Sequence, residues 1–327
     1  MPPEATVERV GDGNPTFAGS PAAIGDHVRR RRLPSLAATS LAGHTLPHSR
    51  ELTDALARPR SEQLDSDDVG DLARLVDHAL ARALERSGLE RSARCIKIGH
   101  YELAAALAGR ATERTPGAFR WNAATARRTI GLAAVRACVE RRATSPADAV
   151  GLVMSDPYGP DGVKSAGAAS CADWIIGLAR PARSVVQAES VTWATRLWTA
   201  VDWHRPDVVP EVGPPDRWWR HRRPVRVAMR GRCDVRFRTP AGPALLTMLG
   251  GTPAPEDRLA LCVAALVDAL AHPQDVPARV AGWWPDCGRA WFVEVDTRTL
   301  ASTATAVVTV VGQLAQEAVG PPGAPRA

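Results

Sequence analysis

At about Pro206 the apolar residues of this 327-residue chain change their period, and that change limits the folds open to it. From about Glu51 to Trp203, apolar side chains recur three and four positions apart, the spacing of one helix face. Leu72, Leu75, Val76, Ala79 and Leu84 form such a stripe, opened by Asp67 and Asp68 and closed near Gly88. Similar stripes predict helices over about 123–142, 168–179 and 184–203, the last with Trp193 and Trp198 as core residues. Beyond Pro206, Val225, Val227 and Met229 alternate with Arg226, Ala228 and Arg230. After Gly231, Cys233, Val235 and Phe237 alternate with Arg232, Asp234, Arg236 and Arg238. Period two predicts a hairpin or two adjacent strands. Pro243 to Leu249 is almost wholly apolar, as for a central strand covered on both faces, and Gly250-Gly251 ends it. A helix over 256–272, strands over 280–285 and 289–295 and a closing helix from Leu300 complete the pattern. The expected fold is α/β, a mixed sheet flanked by helices and preceded by a mostly helical region. Residues 1–50 read as a flexible tail, 51–204 as the helical region packing on the core, 205–318 as the core, and 319–327 as a disordered C-terminus.

With 45% hydrophobic and 23% charged residues, the chain is neither disordered nor collagen-like. The net charge of +6 permits a polyanionic partner. However, only Lys97 and Lys164 stand among the 41 basic residues, a ratio that follows from the codon bias of a GC-rich genome. Arginine content alone therefore does not point to phosphate, and the run Arg29 to Arg32 reads as a solvated tail. The six cysteines form no CxxC pair, which disfavours a zinc ribbon or an iron–sulfur cluster and suits free thiols in a reducing compartment. His44 and His48 stand four apart, but Pro47 lies between them and no acidic partner is near. No apolar leader core is visible at the N-terminus. The uncharged stretch Thr299–Gln316, with four Thr, one Ser and two Gln, is too polar to span a membrane. A soluble, cytoplasmic protein without membrane contact is expected.

A strand bearing Gly231-Arg232-Cys233-Asp234, an apolar strand ending in Gly-Gly, an Ala/Leu-rich helix, two strands and a helix follow in that order. This order resembles the PD-(D/E)xK nuclease superfamily and its RecB-type module, over about Val208 to Glu317. The resemblance implies a restriction-endonuclease-like core, with the helix region around Trp121–Arg142 preceding it. Such nucleases hold Mg²⁺ or Mn²⁺ with convergent carboxylates and position an attacking water. In the family one Asp sits on the second strand, and an acidic residue and a Lys lie two apart on the next. Asp234 takes the first position, but Thr247 and Leu249 fall on the other two. No Lys follows Lys164, and no Asp or Glu lies between Asp234 and Glu256. The family's helical Gln and Tyr positions read Arg258 and Cys262. Its metal-binding His on the earlier helix is also absent, because no His lies between His100 and His204. The resemblance therefore implies a degenerate module, a pseudoenzyme of DNA-repair type.

Between Arg217 and Arg238 there are nine Arg, one His and a single acidic residue, Asp234, with Trp218 and Trp219 among them. Arginines clamp phosphates and indoles stack on bases, so this segment is the candidate nucleic-acid surface. Its members are Arg217, Arg220, Arg222, Arg223, Arg232, Arg236 and Arg238, with Arg220, Arg222 and Arg223 expected in a loop. A charge-guarded sheet edge with buried indoles is the competing structural explanation. The structural reading of Asp234 is that it neutralises the row of Arg232, Arg236 and Arg238 on its strand face. The leading expectation is a nuclease-fold protein without catalysis, binding DNA or RNA or assembling with a helicase or nuclease partner. Two alternatives stay open. One is a metal-dependent DNase with a rearranged site using Asp234, Glu256 and Arg258 with Mg²⁺ or Mn²⁺. The other is a protein–protein scaffold.

Overall fold

Several helices begin at a residue whose side chain caps them, Asn122, Ser145, Ser170 and Asp296 among them. In the computed structural model, which describes residues 44–45, 49–60, 64–87, 95–110, 121–159, 163, 170–221 and 226–319, these caps punctuate both halves of the chain. The helical half contains α1 (Ser49–Ala57), α2 (Ser66–Ser87), α3 (His100–Leu107), α4 (Ala123–Val139), α5 (Pro146–Ser155), α6 (Cys171–Ile176) and α7 (Arg180–Ala200). Asn122 accepts from the Thr125 N–H to start α4, and Ser145 accepts from the Asp148 N–H ahead of Pro146 to start α5. The strand-rich half holds β3 (Val209–Val212), β4 (Arg217–Arg220), β5 (Val227–Gly231), β6 (Val235–Thr239) and β7 (Gly242–Met248). It continues with α8 (Pro255–Ala271), β8 (Arg279–Trp284), β9 (Arg289–Glu294) and α9 (Thr297–Val319). Two short strands lie earlier, β1 (His44–Thr45) and β2 (Ile96–Gly99).

The strands form two mixed sheets rather than the one expected. The larger has the order β1-β9-β8-β7-β6-β3, with β7 and β8 parallel across the α8 crossover and all other pairs antiparallel. The smaller has the order β2-β5-β4, with β2 parallel and β4 antiparallel to β5. The hairpin read from the alternation over 225–238 does not form. Instead, β5 and β6 belong to different sheets, and Arg232-Cys233-Asp234 carries the chain from one to the other. Period two marks each strand correctly but cannot name its neighbour. The β2 strand is missed by the all-helical reading of 51–204, because its four residues are shorter than one helical period can contradict.

The central strand β7 shows why its sequence is apolar throughout. Leu245 faces one core, shared with α2, α3, α8, α9 and the small sheet. Ala244, Leu246 and Met248 face the other, shared with α1 and α4 to α7. The large sheet is thus the middle of three layers. On β6, Val235 and Phe237 face the α4–α7 side, which turns Arg236 toward α8. There its Nη1 donates to both carboxylate oxygens of Asp268 at 3.0 and 2.9 Å, and its Nη2 donates to Asp275 Oδ2 at 2.7 Å. Burial opposes this charge, but Asp268 and Asp275 outweigh it and raise the Arg236 pKa. Among the described residues, no helix is long and apolar enough to cross a membrane.

Within the helical layer, α4 and α7 meet at Gly131. A Cβ there would lie 2.3 Å from Trp193 Cε3 and 2.9 Å from Cζ3, so the absent side chain makes room for the indole. Trp193 and Trp198 pack against this core as expected, and Trp198 stacks on Trp203 with ring centroids 5.6 Å apart. Gly131→Ala is expected to lower unfolding stability by about 1–3 kcal/mol through overpacking, despite the better helix propensity of Ala. Urea denaturation checks this, and an unchanged or higher midpoint would place the Trp193 ring elsewhere.

Candidate functional site

Asp234 lies where the small sheet hands the chain to the large one, and it has no exposed surface. Its Oδ1 accepts from Arg128 Nε of α4 at 2.5 Å, and its Oδ2 accepts from the Met248 N–H at 2.7 Å. Its own N–H donates to the Leu246 carbonyl at 2.8 Å, and its carbonyl accepts from the Gly213 N–H at 2.7 Å. The residue therefore extends the β6–β7 ladder by one backbone bond and closes the end of β7 with its side chain. Its hydrogen-bonded counter-charge is Arg128 of α4; of the arginines expected to share its face, Arg232 lies within electrostatic range, whereas Arg236 is turned to Asp268 and Asp275.

Thr247 and Leu249 are two apart and share one side of β7, the relation expected of the family's acidic and Lys positions. Thr247 is buried and Leu249 half-buried, and the Leu249 N–H continues the pairing to the Trp283 carbonyl at 2.8 Å. These side chains supply neither the carboxylate nor the amine of that pattern. Glu256 opens α8 and pairs with Arg110, leaving its Oε2 buried without a hydrogen-bond partner among the described residues. Arg258 is half-buried, within electrostatic range of Cys262.

A divalent metal fits this donor set poorly. Both Asp234 oxygens already hold a hydrogen bond, and neighbouring carboxylates are likewise turned onto backbone amides. Glu102 accepts from the Gly99 N–H at 2.6 Å, and Asp257 accepts from the Ala254 N–H at 2.8 Å. Among the described residues, no group of three or more His, Cys, Asp or Glu could hold a metal ion. His44 lies in β1 and not on a helix, and His48 is outside the described residues.

The expected arginine surface is divided by the fold. Arg236 is 4% exposed and committed to Asp268 and Asp275. Arg217 leans on the same acids at 3.8 and 4.0 Å. Arg220 is exposed at the end of β4, in a strand and not in the loop expected for it. Arg238 is exposed near the end of β6. Arg222 and Arg223 lie outside the described residues, as does the run Arg29 to Arg32. Trp219 is buried in the core, whereas Trp218 is half-buried with the Arg230 guanidinium 5.6 Å from its ring centroid.

Sequence reading missed several residues that the fold gathers around Asp234. Arg128 arrives from α4, His100 and Tyr101 from the start of α3, and Asp216 from the turn between β3 and β4. Only Arg128 carries a hint, a charged residue between buried Ala126 and Ile130 on one helix. His100 is 4% exposed, with its ring centroid 4.1 Å from that of Tyr101. Burial, reinforced by Arg128, Arg230 and Arg232, brings its pKa down to about 4, against a hydrogen bond with the Arg230 backbone that pulls it up.

Comparisons with protein-family models, curated proteins and solved structures returned no match to this chain.

Because His100 is held neutral in the fold and binds a proton near pH 6.5 when unfolded, the unfolded state takes up the extra proton between these values. Its contribution to stability is complete above about pH 6.5 and is lost as the pH falls toward 4, by up to about 3 kcal/mol. Unfolding free energies of wild type and His100→Gln across this window should show a flatter pH dependence in the variant. Parallel curves would mean that the imidazole titrates alike in both states.

Proposed function

We propose that the chain is a PD-(D/E)xK-like module that has lost phosphodiester cleavage and serves to bind nucleic acid. The strand path supports the first part. β3, β6 and β7 form an antiparallel run, α8 crosses over, and β8 joins β7 in parallel, with α4 packed beside β3. This path is compatible with the core that the resemblance implies, although β5, expected within that core, pairs with β2 and β4 in a separate sheet. The observation that carries the loss of cleavage is the state of Asp234. The helix on which the RecB-type pattern places a metal-binding His sends Arg128 into this carboxylate instead. A guanidinium that stays protonated can neither ligate a metal nor accept a proton from water.

Nucleic-acid binding is supported by the exposed Arg220 and Arg238 and by the half-exposed Arg230 beside Trp218. DNA or RNA would be held through phosphates with little sequence preference, alone or alongside a helicase or nuclease partner. The scaffold reading draws on a different observation. Leu152, Ile176 and Val185 of α5, α6 and α7 are 44%, 54% and 57% exposed, apolar surface on the helical layer.

With Mg²⁺ or Mn²⁺, purified protein should neither nick supercoiled plasmid nor degrade linear or single-stranded DNA. Electrophoretic mobility shifts should show binding that weakens steeply with salt. Replacing Arg220, Arg222 and Arg223 with Ala should flatten the salt slope by about one unit per contact removed. Cleavage abolished by Asp234→Ala would favour the DNase alternative. Absence of binding at low salt would favour the scaffold.

A further inference from the structure

Three guanidinium groups from separate elements are gathered by two carboxylates: Arg128 from α4 pairs with Asp234, and Arg230 from the end of β5 and Arg232 from the connection to β6 both approach Asp216. All three lie within electrostatic range of the buried His100, and Arg128 and Arg232 within range of Tyr101. Asp234 occupies only the Nε of Arg128. Its Nη2 is buried with no hydrogen-bond partner among the described residues. Arg230 and Arg232 share the carboxylate of Asp216, with Asp234 also within electrostatic range of Arg232, and neither reaches Asp216 at hydrogen-bond length. Arg230 Nη1 stands 3.6 Å from Oδ2, and Arg232 Nε stands 3.8 Å from Oδ1. The other carboxylates nearby, Glu102 and Asp257, are directed at backbone N–H groups.

Like charges held together with weak counter-ions are costly where water is partly excluded. The Arg230 and Arg232 side chains are 45% and 33% exposed, open enough for a ligand and closed enough to lose hydration. A tetrahedral oxyanion offsets such a deficit, because planar guanidinium forks match its oxygens in pairs. Magnesium would add to the same repulsion. Resting on the nuclease-like reading above, we infer that the position of the lost metal centre has become an anion site. It takes a phosphate group, with Arg230 and Arg232 as the forks, Arg128 Nη2 beneath, and the 42%-exposed Tyr101 as a further donor. That phosphate belongs to a nucleic-acid strand or is free inorganic phosphate.

The test uses the full chain in EDTA-containing buffer, with thermal melts and isothermal calorimetry on inorganic phosphate and on a single-stranded oligonucleotide. Phosphate at millimolar concentration should raise the melting temperature of wild type, and chloride at equal ionic strength should not. Arg230→Gln with Arg232→Gln should melt like wild type without ligand, lose the phosphate-dependent rise, and weaken oligonucleotide binding by about tenfold. If that pair of changes impairs folding, Arg230→Lys with Arg232→Lys keeps the charge but loses the fork, and phosphate binding should still weaken. Equal phosphate stabilisation of wild type and a folded variant would overturn the site. Phosphate stabilisation lost in the variant with oligonucleotide binding unchanged would uphold the site as one for free phosphate and place nucleic-acid binding elsewhere. Phosphate bound through these arginines with no oligonucleotide binding would uphold the site and overturn the nucleic-acid reading.

Discussion

The Asp234 carboxylate joins the helical layer to the end of the central strand, beside the hydrogen bonds from Arg136 to the Val212 carbonyl that also tie α4 to the sheet. It receives Arg128 from the helical layer and the Met248 amide from the central strand, with its backbone held by Leu246 and Gly213. A fully buried carboxylate without such partners would carry a penalty of several kcal/mol. The pair therefore fixes where α4 meets the sheet and how the chain leaves the small sheet for the large one. A second buried pair, Arg236 with Asp268, ties β6 to α8. Burial makes neither pair a strong source of net stability, but it makes the removal of one partner expensive. Asp234 at the entry to β6 and Arg236 within it are thus answered by different helices, α4 and α8.

This arrangement also explains the charge of the site. In a metal-dependent nuclease, carboxylates converge and a cation relieves their repulsion. Here the carboxylates are turned toward backbone amides or a single guanidinium, and arginines converge instead. Under the nuclease-like reading proposed above, a change from cation to anion preference would need no change of fold, since the same strand ends present whichever side chains the sequence supplies.

How far this was legible in the sequence depends on the range of the interaction. The apolar run over Pro243–Leu249 announced a central strand, because burial on both faces leaves no polar position, and β7 is that strand. The alternation of Val235 and Phe237 with Arg236 fixed which residues share a face. It could not reveal that β5 and β6 part company, since strand partners are chosen by distant residues such as Ile96–Gly99 and Val209–Val212. The absence of an acid and a Lys near β7 could be read directly from residue identity. That Arg236 would be sealed under α8 could not, because its acidic partners lie 32 and 39 residues away. Arg128 is 106 residues from Asp234, and no local pattern marks it as the counter-ion.

The most direct test of this account is the effect of Asp234→Ala on the free energy of unfolding, measured by urea denaturation at neutral pH without added metal. A carboxylate that belongs to the fold leaves behind a buried Arg128 and an unsatisfied Met248 amide, so a loss of about 3–5 kcal/mol is expected. A carboxylate kept for metal binding would be strained in the free protein, and its removal would leave stability unchanged or improve it. The second result would contradict the structural role of Asp234 and return it to the active-site reading.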